Sequence, residues 1–204
     1  MRALLLIDLQ YDFCPGGSLA VARGDETIAI ANKLSAKFDT VVATQDWHPP
    51  DHKSFAVNHP GKKPYDMIDL DRLPQVLWPS HCVQGTPGCG LHAGLDLTRL
   101  SKVVHKGTDP SIDSYSGFFD NGHRKATGLG DWLKGRGVDD VVVLGLATDY
   151  CVKFTSLDAR KLGMRVSVVA DGCRGVNLQA DDSERAFAEM HEAGCAVVTS
   201  DQIV

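Results

Sequence analysis

Short apolar runs alternate with amphipathic stretches along this chain. Ala3-Leu4-Leu5-Leu6-Ile7 is a continuous apolar run that stops at Asp8, and it predicts a buried strand over about 2–8. Similar runs predict strands at 40–44, 102–105, 140–145, 165–170 and 195–199. Between them lie helical periodicities. One covers 25–37, where Ile28, Ala31, Leu34 and Phe38 form a stripe; others lie near 123–135, 152–162 and 181–193. Strand–helix alternation implies an α/β fold, a six-stranded parallel sheet with helices on both faces, in one domain over 1–204. The stretch from about 46 to 100 breaks the rhythm and holds most of the prolines. It exceeds an ordinary connector, and long loops of this kind are usually functional.

The strand ends carry the chemistry. Val141-Val142-Val143-Leu144 leads into Gly145-Leu146-Ala147-Thr148-Asp149-Tyr150-Cys151, with apolar residues at helical spacing from Val152 onward. Thr148 or Asp149 is placed to cap that helix, so Cys151 is expected in its first turn. There the helix dipole favours thiolate and free amides are at hand, which suits a nucleophile. A lone cysteine usually serves as a small buried hydrophobe. Two other strand ends change that reading. Asp8 ends the first strand, and Val103-Val104-His105-Lys106-Gly107 ends another in a lysine. Ligands in open α/β sheets bind at this carboxyl edge. A lysine there lowers the thiol pKa, and an aspartate can take the thiol proton and pass it on.

Composition narrows the field. The chain has 204 residues, a net charge of −5 and six cysteines without a CxxC pair. The charge balance argues against nucleic-acid binding. No apolar run approaches the roughly 20 residues that span a membrane, and no signal peptide is expected. Irregularly spaced cysteines suggest reduced thiols and a cytoplasmic setting.

A second constellation opens the long loop. Asp46 and His48 stand two apart at a strand end, so extended geometry projects them to one side. His81 lies farther on, in Trp78-Pro79-Ser80-His81-Cys82-Val83-Gln84-Gly85. Two imidazoles and a carboxylate suit one divalent transition metal: zinc, iron or manganese. His52, His59 and Cys82 are alternative ligands, and His52 can also act behind the ligands. Phe13, Trp78, Tyr115 and Phe118 are candidate walls for a flat apolar ligand.

Taken together, these motifs resemble the nicotinamidase/pyrazinamidase branch of the isochorismatase-like cysteine hydrolases. The resemblance rests on Asp8-Leu9-Gln10-Tyr11-Asp12-Phe13, Gln45-Asp46-Trp47-His48-Pro49 and the Trp78–Gly85 segment, then on Lys106-Gly107, Asp113-Ser114-Tyr115-Ser116-Gly117-Phe118 and the Gly145–Cys151 segment. It implies catalytic Asp8, Lys106 and Cys151, and metal ligands Asp46, His48 and His81, with zinc the leading metal. It implies a cis peptide at Leu146–Ala147 and an oxyanion hole from the Ala147 and Cys151 amides. Phe13, Trp78, Tyr115, Leu146 and Ala147 are assigned to the substrate. The implied reaction is hydrolysis of nicotinamide to nicotinate and ammonia through a Cys151 thioester, with pyrazinamide also accepted. Partners are limited to the small-molecule substrate, with homo-oligomerisation left open. Two other readings stand beside it: another cysteine amidase acting on a carbamoyl or ureido group, and a non-catalytic binding protein on the same fold.

Overall fold

The computed structural model describes all residues, 1–204. In chain order it forms β1 (Arg2–Ile7), α1 (Glu26–Ser35), β2 (Val41–Asp46), the pair β3 (Met67–Leu70) and β4 (Leu73–Val76), β5 (Lys102–Lys106), α2 (Leu129–Lys134), β6 (Asp140–Leu146), α3 (Lys153–Lys161), β7 (Arg165–Arg174), α4 (Asp182–Glu192) and β8 (Ala196–Val198). Six of the strands make one sheet in the order β5-β2-β1-β6-β7-β8. Every pairing in it is parallel.

The apolar runs explain the centre of this sheet. Every residue of β1 and β6 after the first is buried, and all of β2 is buried. A strand covered on both faces needs apolar residues at every position, not alternation. Each fully buried Leu, Ile or Val contributes about 1.5–3 kcal/mol relative to exposure. Gln45 and Asp46 extend β2 two residues past the predicted end at 44, which puts the first candidate metal ligand in the sheet itself.

Chain direction then locates the site. From β1 the chain steps outward to β2 and β5; from β6 it steps the other way to β7 and β8. Right-handed crossovers therefore put α1 on one face and α3 and α4 on the other. Between β1 and β6 the winding reverses, and such a switch point opens a crevice at the carboxyl ends. Asp8 follows β1 and Cys151 follows β6. No helix is long and apolar enough to cross a membrane.

Three local expectations change. The stretch 46–100 contains the antiparallel pair β3–β4 and three short 3₁₀ turns. The helix expected near 123–135 begins only at Leu129, after Gly128 at φ 86°. Residues Thr148–Val152 form a π-helical turn ahead of α3, with Ala147 at its start and no side-chain cap. Asp149 instead turns away: its two carboxylate oxygens accept the Val176 and Asn177 amides at 2.9 and 2.8 Å. Two amides of a distant loop take the carboxylate in place of a local cap.

Candidate active site

Four strand ends converge on one lysine. Asp46 and Lys106 are register partners on β2 and β5. The Lys106 ammonium donates to Asp46 Oδ1 at 2.5 Å and to the Ser114 carbonyl at 3.0 Å. It lies 2.9 Å from Asp8 Oδ2 and 3.4 Å from Cys151 Sγ. Asp8 stands just past β1 with φ 48°, a left-handed backbone that aspartate tolerates better than most residues. Thr44 holds it there, donating its hydroxyl to Asp8 Oδ1 at 2.6 Å and accepting the Asp8 amide at 3.2 Å. The Gln10 side chain clamps the Asp46 backbone, accepting its N–H at 2.8 Å and donating to its carbonyl at 2.9 Å. Neither Thr44 nor Gln10 stood out in the sequence.

Burial sets the protonation states. It pushes Asp8 above the usual carboxylate range; Lys106 opposes this and Asp46 reinforces it. Burial works against Lys106 too, but Asp46, Asp8 and Cys151 hold its pKa well above normal, so it stays an ammonium. Burial also pushes the Cys151 thiol well above its ordinary value, against the pull of Lys106. The pull toward thiolate expected from the helix start and from Lys106 is outweighed here. Desolvation of a fully enclosed sulfur outweighs one cation and an irregular first turn. The thiol is protonated at rest and needs a base.

The second cluster stands beside the first. Asp46, His48 and His81 bring one carboxylate oxygen and two imidazole nitrogens within 4.8 Å of one another, and all three residues are buried. Asp46 Oδ2 lies 3.6 Å from His48 Nε2 and 3.9 Å from His81 Nε2. Each ring is aimed from behind. His48 Nδ1 donates to the Gly107 carbonyl at 2.8 Å, and His81 Nδ1 donates to the Pro79 carbonyl at 2.8 Å. Those bonds leave both Nε2 atoms turned toward Asp46, the orientation that metal-binding histidines use. Gly107 has φ 62°, and a Cβ there would sit 2.3 Å from the His48 ring. The glycine after the lysine thus makes room for an imidazole as well as a turn.

The electrostatics fit a cation. Burial would raise Asp46, but Lys106, His48 and His81 together hold it far below the usual range, as a carboxylate. Burial and the His48 charge drop His81 to about 4, so its ring is neutral at physiological pH. Burial pulls His48 down, but Asp46 more than offsets this and raises it. A carboxylate and two nitrogen donors match a divalent transition metal. His52 lies next to His48, with ring centroids 4.4 Å apart, but its Nδ1 bonds Ser54 Oγ at 2.7 Å. His59 Nε2 bonds the Lys53 carbonyl at 2.7 Å on the surface, and Cys82 has its thiol pushed well up by burial. Neither joins the Asp46 cluster.

Both clusters open on one cavity. It is lined by Phe13, Leu19, Trp78, Asp113, Tyr115, Ala147, Tyr150 and Val176, together with Asp46, His81 and Cys151. Trp78, Tyr115 and Tyr150 form its aromatic side, with Trp78 and Tyr150 edge to face at 4.8 Å. The Tyr115 hydroxyl accepts from Trp78 Nε1 at 3.3 Å and Gln75 Nε2 at 3.1 Å, so β4 braces that wall. Phe13 meets the His81 ring at 5.4 Å. The free space is about 20 Å³, room for a water or two, so a ring enters only as the walls yield. Leu146, expected in this lining, is not there. It is fully buried, and its side chain packs toward Gly24. Phe118 is likewise buried elsewhere, beside α2. Tyr150 and Val176 had gone unassigned. Tyr150 adjoins Cys151, whereas Val176 comes from the β7–α4 loop and gives no local signal. The Leu146–Ala147 peptide is cis, and the Ala147 amide donates to no group of the protein.

The chain matches the isochorismatase domain over residues 2–202. It is 54% identical to the nicotinamidase of Escherichia coli K12 over 202 residues, which is 97% of this chain and 94% of that protein. The structure of an Acinetobacter baumanii nicotinamidase/pyrazinamidase superposes with a TM-score of 0.97 at 45% identity, covering 100% of this chain and 98% of the other. A zinc complex of the Pyrococcus horikoshii pyrazinamidase superposes with a TM-score of 0.80 at 37% identity, covering 97% and 98%. With its crevice between β1 and β6, its strand-end Asp, Lys and Cys and this full-length similarity, the chain belongs to the isochorismatase family, in its nicotinamidase/pyrazinamidase branch.

Proposed function

We propose that the protein hydrolyses nicotinamide to nicotinate and ammonia, and accepts pyrazinamide. The observation that carries the chemistry is the buried Asp8–Lys106–Cys151 contact set beneath an aromatic cavity. Asp8 takes the thiol proton of Cys151, and its raised pKa makes it a better base for this. Lys106 stabilises the thiolate as it forms. Sγ bonds to the carboxamide carbon, and the Ala147 and Cys151 amides take the oxyanion. Asp8 then returns the proton to the departing nitrogen. The C–N bond breaks, ammonia leaves and a thioester remains. Asp8 next takes a proton from water, whose oxygen bonds to the acyl carbon. The C–S bond breaks, nicotinate forms and the proton returns to sulfur.

Asp46, His48 and His81 would hold one divalent ion, with zinc favoured by the two neutral-capable imidazoles and by the zinc complex of the Pyrococcus relative. Such an ion supplies an electrophilic site for the pyridine nitrogen and draws electron density from the ring. The protein's part is to orient: Phe13, Trp78 and Tyr115 sandwich the ring so that the carboxamide carbon meets Sγ. Six unpaired thiols support a reducing, cytoplasmic setting. The test is ammonia release from nicotinamide by the purified chain, repeated after chelation and after zinc is added back. Release that falls on chelation and returns with zinc is expected. No release under any of the three conditions would overturn the assignment.

A further inference from the structure

Asp12 lies in the first motif and takes no part in the chemistry above. It is buried, yet its carboxylate is bonded to backbone amides of two separate segments. Oδ2 accepts the Cys82 N–H at 2.7 Å, and Oδ1 accepts the Ser18 N–H at 3.1 Å. The Asp12 carbonyl also accepts the Leu19 N–H at 3.0 Å.

These contacts sit at a sensitive point. Cys82 directly follows His81 and is held at φ 46°, a left-handed backbone that a cysteine rarely adopts. The other end of the same residue is also tied down: the Cys82 carbonyl accepts the His48 N–H at 3.0 Å. One carboxylate thus grips the short link between the backbones of both histidine ligands. On its other side the same carboxylate holds Ser18 and the Asp12 carbonyl holds the next residue, Leu19, which with Phe13 lines the substrate cavity. Gly88 packs directly against the Asp12 carboxylate. A Cβ on Gly88 would lie 2.3 Å from both carboxylate oxygens.

We infer that Asp12 is a positioning residue: it fixes the His81–Cys82 segment for metal binding and couples that segment to the cavity wall at Ser18–Leu19. This rests on the metal assignment of the preceding section. Groups behind metal ligands typically change affinity by about 10–100-fold when removed. Coupling between two sites is reciprocal, so filling one must also steady the other.

The test compares Asp12→Asn with the whole wild-type chain. Asparagine keeps the shape but presents one acceptor and one N–H₂ group to two N–H donors. Asp171→Asn is the control, because Asp171 likewise holds a backbone amide, that of Ser200 at 2.8 Å, outside the cavity lining. Zinc affinity is read by competition with a chromogenic chelator. Asp12→Asn should bind zinc at least about tenfold more weakly than wild type, and Asp171→Asn should stay within about twofold. At saturating zinc, Asp12→Asn should keep most of its kcat while KM for nicotinamide rises. Zinc affinity unchanged in Asp12→Asn, or lowered equally in Asp171→Asn, would overturn the inference. Should Asp12→Asn fail to fold, hydrogen exchange on the wild-type protein decides. Zinc loading should slow exchange of the Ser18 and Cys82 amides together, and an unmoved Ser18 amide would overturn it. A wild-type chain that takes up no zinc overturns the metal assignment and this inference with it. Zinc uptake with an unchanged Asp12→Asn affinity overturns this inference alone.

Discussion

The two halves of the site are built differently. Asp8 and Lys106 stand just past or at the ends of β1 and β5, where the sheet register places them, and Cys151 follows β6 in the π-helical turn that leads into α3. The proposed metal half has one candidate ligand on the sheet, Asp46, and two on loops, His48 and His81. Loop ligands need separate supports: a carbonyl behind each imidazole, and the bond between the Cys82 carbonyl and the His48 amide. Chemistry placed by a sheet tolerates loop change, whereas ligand orientation placed by loops does not. Asp46 belongs to both halves, touching Lys106 on one side and the imidazoles on the other.

The sharpest break falls on the sheet half. Cys151→Ala should abolish ammonia release while the protein stays folded and still takes up metal. A folded Cys151→Ala protein with near-normal turnover would end the covalent mechanism. Asp8→Asn should lose at least about 10²-fold in kcat, the usual scale for a general acid–base group. The wild-type profile of kcat/KM should fall as pH drops through the Asp8 pKa. Because burial raises that pKa from 3.8, the acid limb should lie above 3.8 and vanish in Asp8→Asn. An acid limb that persists in the variant assigns it to another group.

Lys106→Ala separates chemistry from stability. It removes the cation between two buried carboxylates, Asp8 and Asp46. Leaving buried charges uncompensated costs about 3–5 kcal/mol, so urea unfolding should shift by that order as activity is lost. Unchanged stability would mean that the carboxylates find other partners. On the loop half, His81→Ala should lose bound metal and raise KM more than it lowers kcat. His191→Ala, exposed on α4, should do neither. Elemental analysis of each variant checks both.

Much of this was legible because the informative residues sit where apolar runs stop. Asp8 and Cys151 follow continuous buried runs, Lys106 ends the apolar-containing edge strand β5, and Asp46 and His48 lie two apart at the end of β2. The β3–β4 pair was not legible. Its turn uses Asp71 and Arg72, both at positive φ, in place of the Asn-Gly or Asp-Gly that marks a tight hairpin, and Pro74 interrupts the second strand. Asp149 misled because its place before a helix matches a cap, while its partners, Val176 and Asn177, lie far along the chain. Leu146 misled in another way. It adjoins the Ala147 amide, yet its side chain points into the core.

The division of labour between the two halves has one direct test: kcat/KM for nicotinamide against benzamide in the metal-loaded protein. The rings have nearly the same shape, so Phe13, Trp78 and Tyr115 treat them alike. Benzamide lacks the ring nitrogen, and a site built to bind a polar atom rejects the analogue without it far more strongly than shape alone allows. Benzamide should therefore be much the poorer substrate, and the gap should shrink in His81→Ala. Comparable kcat/KM values for the two amides in the wild-type enzyme would contradict the orienting role of Asp46, His48 and His81.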